Sequence, residues 1–367
     1  MENLNIFTRI YEDLEPLFEE ACKERIFPGA VASITIEDQE KKYSFFLASG
    51  SLSYKKKEIM NLNVFFDLAS LTKPLATVPA VLSLLNKKII SLDDCLTDLL
   101  NRQVPADKNK ITLRQLLNHS SGLPAYRPYY QDLKNNQEKQ SIIDKILCEE
   151  LVYPPGTEQI YSDLGFMIIG EIVTERTGLN FEKYVSKTIY QPLFLDNLLF
   201  FHNKDKNIIY APTEQCPWGH KMLKGKVHDD NARFFGVSGH AGLFGNIYGV
   251  TGLINYFVDI INGKIKPPFI DRNCLKQFIK KDGDRGSFAL GFDTPSPGKS
   301  SSGKYFSSNS FGHLGFTGTS FWVDLTKGVS IVLLSNRVYP RRDNDKIRKF
   351  RPLFHDTIMN IINVSDP

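Results

Sequence analysis

Cysteine is scarce and unpatterned in this 367-residue chain. Its five copies, Cys22, Cys95, Cys148, Cys216 and Cys274, are odd in number, scattered and never spaced as Cys-x-x-Cys. That argues against a disulfide framework or a zinc ribbon and fits a reducing compartment. Long apolar runs are missing as well: the longest, around Leu75 to Leu85, is broken by Pro79 and falls short of the roughly 20 residues that cross a bilayer. Met1 to Asn5 carry neither the basic patch nor the apolar run of an export signal, so a cytoplasmic location is expected if that Met is the natural start. No charge of one sign dominates. The 45 basic and 41 acidic side chains leave +4, too little on this length to imply a nucleic-acid partner, and nothing calls for a membrane partner. With 25 Gly and 19 Pro, collagen and low-complexity disorder are out. What is present, 42% hydrophobic and 12% aromatic residues, describes a folded globular chain. Its length corresponds to roughly two to three domains of ordinary size.

Leu4, Phe7, Tyr11, Leu14, Phe18 and Ala21 recur at helical spacing, with a kink or restart expected at Pro16. Ala30 to Ile36 and Tyr43 to Ala48 are β-branched or aromatic runs that read as a hairpin. From Ser70 to Asn86, and again from Leu92 through Ile111–Leu117 to Ile142–Leu147, the spacing is mostly helical, so the middle of the chain is expected to be helix. Pro154-Pro155-Gly156-Thr157 breaks it; Leu164 to Thr177 forms a further helix that Gly178 can end, and Phe181 to Tyr190 forms another. Residues 201–240 and 282–310 read as loop, and Tyr248 to Ile261 as helix. Phe321–Leu325 and Val329–Ser335 form a second hairpin before a basic helix near Asp343 to Ile362. Strands at both ends with helices between them imply an α/β (α+β) sheet domain from residues 1–86 and 210–367 and a helical domain from 87–209. Two independent domains remain the rival arrangement.

Three segments can carry chemistry. In Phe66-Asp67-Leu68-Ala69-Ser70-Leu71-Thr72-Lys73-Pro74 an apolar stretch runs into a serine that opens a helical pattern, with proline tolerated in the first turn. Ser70 and Lys73, three apart, share a helix face, and a positive helix end favours developing negative charge, which activates a nucleophile. The bare spacing also occurs at Ser53–Lys56, Ser296–Lys299 and Ser301–Lys304, but those lie in polar, loop-like stretches. A helix cap explains Ser70 equally well on local pattern alone. A protonated lysine needs a second base beside it, and Tyr161 in Tyr161-Ser162-Asp163 is the best candidate, since a nearby ammonium favours phenolate. Finally, Gly312-His313-Leu314-Gly315-Phe316-Thr317-Gly318-Thr319 leads into a strand whose backbone N–H groups could hold an oxyanion.

In this order the three segments resemble the serine β-lactamase and penicillin-binding-protein-like hydrolases, in the branch of class C β-lactamases, D-alanyl-D-alanine carboxypeptidases and related esterases. The resemblance runs from about Ala30 to Arg337 and includes Leu116-Leu117-Asn118-His119-Ser120-Ser121-Gly122-Leu123 and Pro155-Gly156-Thr157. It implies an antiparallel sheet flanked by helices, Ser70 as acylated nucleophile, Lys73 as its partner, and Tyr161 as general base and later acid. The oxyanion donors would be the N–H groups of Ser70 and Phe316, and His313-Leu314-Gly315 falls where the family carries Lys-Thr-Gly or His-x-Gly. Asp163 stands where Asn is frequent and should favour protonated Lys73. His313, with an ordinary pKa of about 6.5, should bind substrate carboxylates less well than lysine near neutral pH. The segments around His228, His240 and Asn336-Arg337 resemble a subgroup that includes N-acetylmuramyl-L-alanine amidases, which would make a peptidoglycan fragment the substrate and place both histidines at its binding site. No cofactor is required.

A metal site is the chemical alternative, since His220, His228, Asp229, Asp230 and His240 crowd one loop, yet no metal-ligand spacing such as His-Glu-x-x-His supports it. Gly236 to His240 lacks the last glycine of a nucleophile elbow. A ligand sensor that keeps the fold without turnover is the non-enzymatic alternative. The basic run from Arg341 to Arg351 reads as a solvated helix face in preference to the alternative, a patch for an anionic partner.

Overall fold

Helix α1 (Glu2–Lys23) buries Ile10, Leu14, Phe18 and Ala21 along one stripe. It neither stops nor restarts at Pro16, because the stripe on both sides of the proline lies on one apolar surface, where Phe18 packs on Phe27, Phe350 and Phe354. The structure, a computed structural model, describes all residues except 1, 39–40, 56, 132–141, 197, 202–206, 218, 220, 237, 284–285 and 366–367. Lys56 and His220, singled out above, lie outside the described residues.

The expected first hairpin is β1 (Gly29–Asp38) with β2 (Lys41–Gly50). Strand β3 (Phe66–Asp67) leads through a 3-10 turn (Ala69–Leu71) and a π turn (Lys73–Thr77) into α2 (Val78–Asn86). The middle of the chain departs from expectation: α3 (Leu96–Leu99), α4 (Leu113–Leu117) and α5 (Ile142–Leu147) are short and separated by irregular chain. Local chemistry explains α4. Thr112 and Gln115 cap its start reciprocally, and His119 and Gly122, at φ 61° and 81°, turn the chain out of it. There the apolar spacing records burial rather than helix length.

Helix α6 (Asp163–Thr177) stops at left-handed Gly178 as the sequence implied, and α7 (Phe181–Val185) continues as a π turn to Tyr190. Then come β4 (Leu199–Phe200), α8 (Asp230–Phe235), β5 (Phe244–Gly245), α9 (Ile247–Asn262) and α10 (Arg272–Phe278). The last elements are β6 (Ser310–Leu314), β7 (Ser320–Asp324), β8 (Val329–Ser335) and α11 (Ile347–Ser365). Five of these, β4, α8, β5, α10 and β6, were not expected. Helix α8 lies within the stretch read as loop, capped by Asp229, whose Oδ1 accepts the Ala232 N–H at 2.7 Å. Strand β6 lies where glycine and serine obscure any alternation.

The main sheet has the order β2-β1-β8-β7-β6, every pair antiparallel, so its two chain ends meet where β1 pairs with β8. Its central strands bury both faces: Val332 and Leu334 of β8 face the core with α2, α6 and α9, while Ile331 and Leu333 face the layer of α1 and α11. A smaller sheet, β3-β5-β4, anchors the segment that carries Ser70.

Candidate active site

The chain bends sharply just before Ser70. Ala69 has φ 48°, a left-handed conformation that costs a non-glycine residue about 1–3 kcal/mol and persists only when its surroundings enforce it. They do so here: buried Asp67 accepts the Ala69 N–H through Oδ1 at 2.8 Å and the His228 N–H through Oδ2 at 2.6 Å. Thr72 closes the turn by donating to the Ala69 carbonyl at 2.6 Å.

One turn on, the fully buried Lys73 directs its Nζ at three acceptors: Ser70 Oγ at 3.1 Å, Asp163 Oδ1 at 2.7 Å and the His240 carbonyl at 3.3 Å. An ammonium has three donors, so all are engaged. Burial opposes the charge, but Asp163 and Tyr161 outweigh it and raise the lysine above its ordinary value. A carboxylate at Asp163 that favours the protonated lysine is what the sequence implied.

Tyr161 immediately precedes α6, which Ser162 caps, and its ring lies 4.6 Å from Lys73 Nζ. Burial pushes its pKa up harder than the charge of Lys73 pulls it down, and the phenol ends above its ordinary value. The expectation that Lys73 would move Tyr161 toward phenolate is thus corrected: desolvation of the anion exceeds the attraction of the ammonium.

His119 is the residue that sequence reasoning passed over. Its carbonyl accepts the Ile160 N–H at 3.0 Å, its Nδ1 accepts the Ser162 N–H at 3.1 Å, and its ring packs 4.6 Å from that of Tyr161. Burial, with Lys73 and His313 nearby, holds it well below the ordinary imidazole value, and the hydrogen bond places its proton on Nε2. Its position in a polar turn directly after an apolar helix was the available signal.

His313, on β6, is corrected too. Its Nδ1 donates to the Leu314 carbonyl at 2.8 Å, and burial with Lys73 and Arg351 nearby pushes its pKa down to about 3. It is a neutral ring 6.1 Å from Tyr161, not a group that titrates near neutrality. The turn after β6 lies against the Ser70 segment: Thr317 donates to the Asp67 carbonyl at 2.7 Å and Thr319 to the Leu68 carbonyl at 3.1 Å. Gly315 permits this approach, since a Cβ there would sit 1.9 Å from Thr319 Oγ1 and 2.6 Å from the Leu68 oxygen. Phe316 is half exposed beside it, with its ring stacked on His228 at 5.6 Å.

His228 and His240 are buried, and each has a carboxylate: His228 Nε2 with Glu214 at 3.0 Å, His240 Nε2 with Asp229 at 2.9 Å. Burial would raise both acids, but the histidines, joined on Glu214 by Arg342, bring them down to about 2. His240 therefore meets Lys73 through its carbonyl, while its ring is tied to Asp229. Among the described residues no group of three or more His, Cys, Asp or Glu side chains is placed to hold a metal ion. No helix among them is long and apolar enough to cross a membrane.

The structure thus brings Ser70, Lys73, Asp163 and Tyr161 together, with His313 and the Gly315–Phe316 turn bordering them. Known proteins are similar to this chain in sequence and fold. A family model described as Beta-lactamase matches residues 14–353. A Salmonella heidelberg protein named "Putative D-alanyl-D-alanine carboxypeptidase" is 30% identical over 319 residues, covering 78% of this chain and 72% of that protein. Among solved structures, an octameric penicillin-binding protein homologue from Pyrococcus abyssi superposes with a TM-score of 0.69 at 19% identity, covering 89% of this chain and 73% of that one. EstCE1, described as a hydrolase with promiscuous acyltransferase activity, gives 0.70 at 20% identity, covering 94% and 99%. These two share the fold.

Proposed function

The chain belongs to the beta-lactamase family, and on that premise we propose that it is a serine hydrolase that works through an acyl-enzyme on Ser70. The observation that carries the reading is the contact of one buried ammonium, Lys73, with both Ser70 and Asp163, beside the phenol of Tyr161. In the reacting state Tyr161 is phenolate, paired with Lys73. It takes the Ser70 proton as Oγ bonds to the carbonyl carbon of an amide or ester, and the N–H groups of Ser70 and Phe316 receive the resulting oxyanion. As the intermediate collapses, the carbon–nitrogen or carbon–oxygen bond breaks and Tyr161 returns the proton to the leaving group. Water then attacks the acyl-enzyme carbonyl as Tyr161 takes its proton, and when the acyl–Oγ bond breaks Tyr161 returns that proton to Ser70, releasing the carboxylic acid and the free enzyme.

The acyl donor we favour is a muramyl peptide from the cell wall, cut at the amide. Neutral His313 supports this against β-lactams and D-alanyl-D-alanine, since β6 offers no positive charge to a terminal carboxylate. Carboxypeptidase activity is the second reading, favoured by the name of the Salmonella relative. Intact-mass measurement after separate incubation with a penicillin, a short-chain ester and a muramyl peptide distinguishes them. An adduct or turnover with one substrate, lost in Ser70→Ala, supports hydrolysis of that class. Unchanged hydrolysis by Ser70→Ala refutes the nucleophile, and stable labelling without turnover would favour a sensor.

A further inference from the structure

Arg351, on α11, is a buried charge without a counter-charge. It is 6% exposed, and no acid among the described residues contributes to its electrostatics; burial with Arg337 and Arg348 nearby lowers its pKa to about 9. It remains protonated at neutral pH. An unpaired buried guanidinium is strongly unfavourable, so what it touches matters. Its Nη2 donates to the carbonyls of Gly315 and Thr319, each at 2.8 Å, while its Nε has no partner.

Those two carbonyls close the turn between β6 and β7. Thr319 O accepts the Gly315 N–H at 2.7 Å, and Gly315 O accepts the Gly318 N–H at 3.1 Å. The Gly315 carbonyl belongs to the same planar peptide as the Phe316 N–H, and in a trans peptide the two point in opposite directions. A carbonyl drawn toward α11 therefore aims that N–H away from α11. Positive charge at the carbonyl oxygen also withdraws density from the peptide nitrogen and makes its hydrogen a stronger donor. Arg337 fixes the next peptide, donating from Nε to the Phe316 carbonyl at 2.8 Å with its guanidinium 4.4 Å over the Phe316 ring. From the other side Thr317 and Thr319 hold the turn to Asp67 and Leu68.

We propose that Arg351 is a positioning residue that orients and polarises the Gly315–Phe316 peptide as an oxyanion donor, an inference that rests on the hydrolase reading above. The test compares the parent, R351M, R351K and S70A by the second-order rate at which a fluorophosphonate probe labels Ser70, alongside thermal melting. Removing a whole oxyanion donor costs about 10²–10³ in rate, so weakening one through its peptide is expected to slow R351M labelling roughly 10–100-fold. R351K, which keeps the charge, should recover part of that loss. The melting temperature of R351M should stay level or rise, because methionine removes an unpaired charge from the interior. Should methionine prevent folding, R351Q replaces it with the same expected loss of rate. Labelling of R351M or R351Q within twofold of the parent overturns the proposal, as does a loss that tracks lowered melting and that R351K does not relieve. A parent that is not labelled at Ser70 overturns the hydrolase reading and this inference together, whereas a labelled parent with unaffected Arg351 variants overturns this inference alone.

Discussion

His119 grips Tyr161 from both sides: its carbonyl takes the N–H of the preceding residue, its Nδ1 takes the N–H of the following one, and its ring covers the phenol ring. A left-handed turn residue, at φ 61°, thus determines where the proposed base stands. Asparagine tolerates that backbone but has no ring to pack on Tyr161. His119→Asn is expected to lower kcat about 100-fold, the size of loss that follows a misplacement of about 1 Å, with KM little changed. Steady-state kinetics on a chromogenic ester measures this; a KM effect alone would assign His119 to substrate binding instead.

The pH dependence follows from Tyr161. Its phenol stands above the ordinary value of about 10, so less than roughly one molecule in a thousand carries phenolate at pH 7. Acylation is expected to accelerate steadily from pH 6 to 9, close to tenfold per unit. A plateau reached by pH 7 in Ser70 labelling would contradict the assignment of Tyr161 as base.

Asp163→Asn removes the carboxylate that, together with Tyr161, outweighs the desolvation of Lys73. The folded-state pKa of Lys73 should then fall below its unfolded value. In the parent the raised pKa supplies stability that is fully present below the unfolded lysine value and is lost only at strongly alkaline pH. In the variant the unfolded chain binds more protons than the folded one, so stability rises with pH up to the unfolded lysine value. Melting curves should show Asp163→Asn less stable than the parent at pH 6, with the deficit shrinking toward pH 10; a deficit constant over that range would mean that Lys73 does not titrate.

Two buried imidazoles bear on acid stability. His313 and His355 are pushed down to about 3, chiefly by burial, from an ordinary imidazole value of about 6.5. Each contributes stability at neutral pH that is lost as pH falls from the unfolded value toward 3, because unfolded imidazole binds the proton that the folded one refuses. His355→Asn should narrow the drop in melting temperature between pH 7 and 4. An unchanged drop would show that His355 is charged in the folded protein.

At Gly315, an added Cβ would strike Thr319 Oγ1 and the Leu68 carbonyl. Gly315→Ala is expected to push the turn away from the Ser70 segment and cost at least about 100-fold in Ser70 labelling, comparable with loss of an oxyanion donor. Labelling at the parental rate would show that Phe316 is not the donor.

The strands of both hairpins, helix α6 with its glycine stop, and the Ser70–Lys73–Tyr161 set could all be seen in the sequence, because alternation, capping and side-chain chemistry are local signals. The short helices of the middle could not: Leu92 and Ile111 are buried in irregular chain, and buried loop residues extend an apolar pattern just as helical ones do. The ionisation states of Tyr161 and His313 were misjudged for one reason. Nearest neighbours can be guessed from motifs, but desolvation depends on everything packed around a group, and here it overrides the charge partner. His119 and Arg351 act through backbone groups of other segments, and such contacts leave no spacing to find.

The bond from Thr319 to the Leu68 carbonyl joins positions 251 residues apart. At a synthesis rate of about 5–20 residues per second, the ribosome makes the second long after the first, a delay of roughly 10–50 s. Once Tyr161 has been made, and for the rest of that interval, the nascent chain holds its serine, lysine and tyrosine but lacks the wall that faces them. Chemistry is therefore withheld until the last strands dock, and the emergence of activity during translation would report completion of the whole fold.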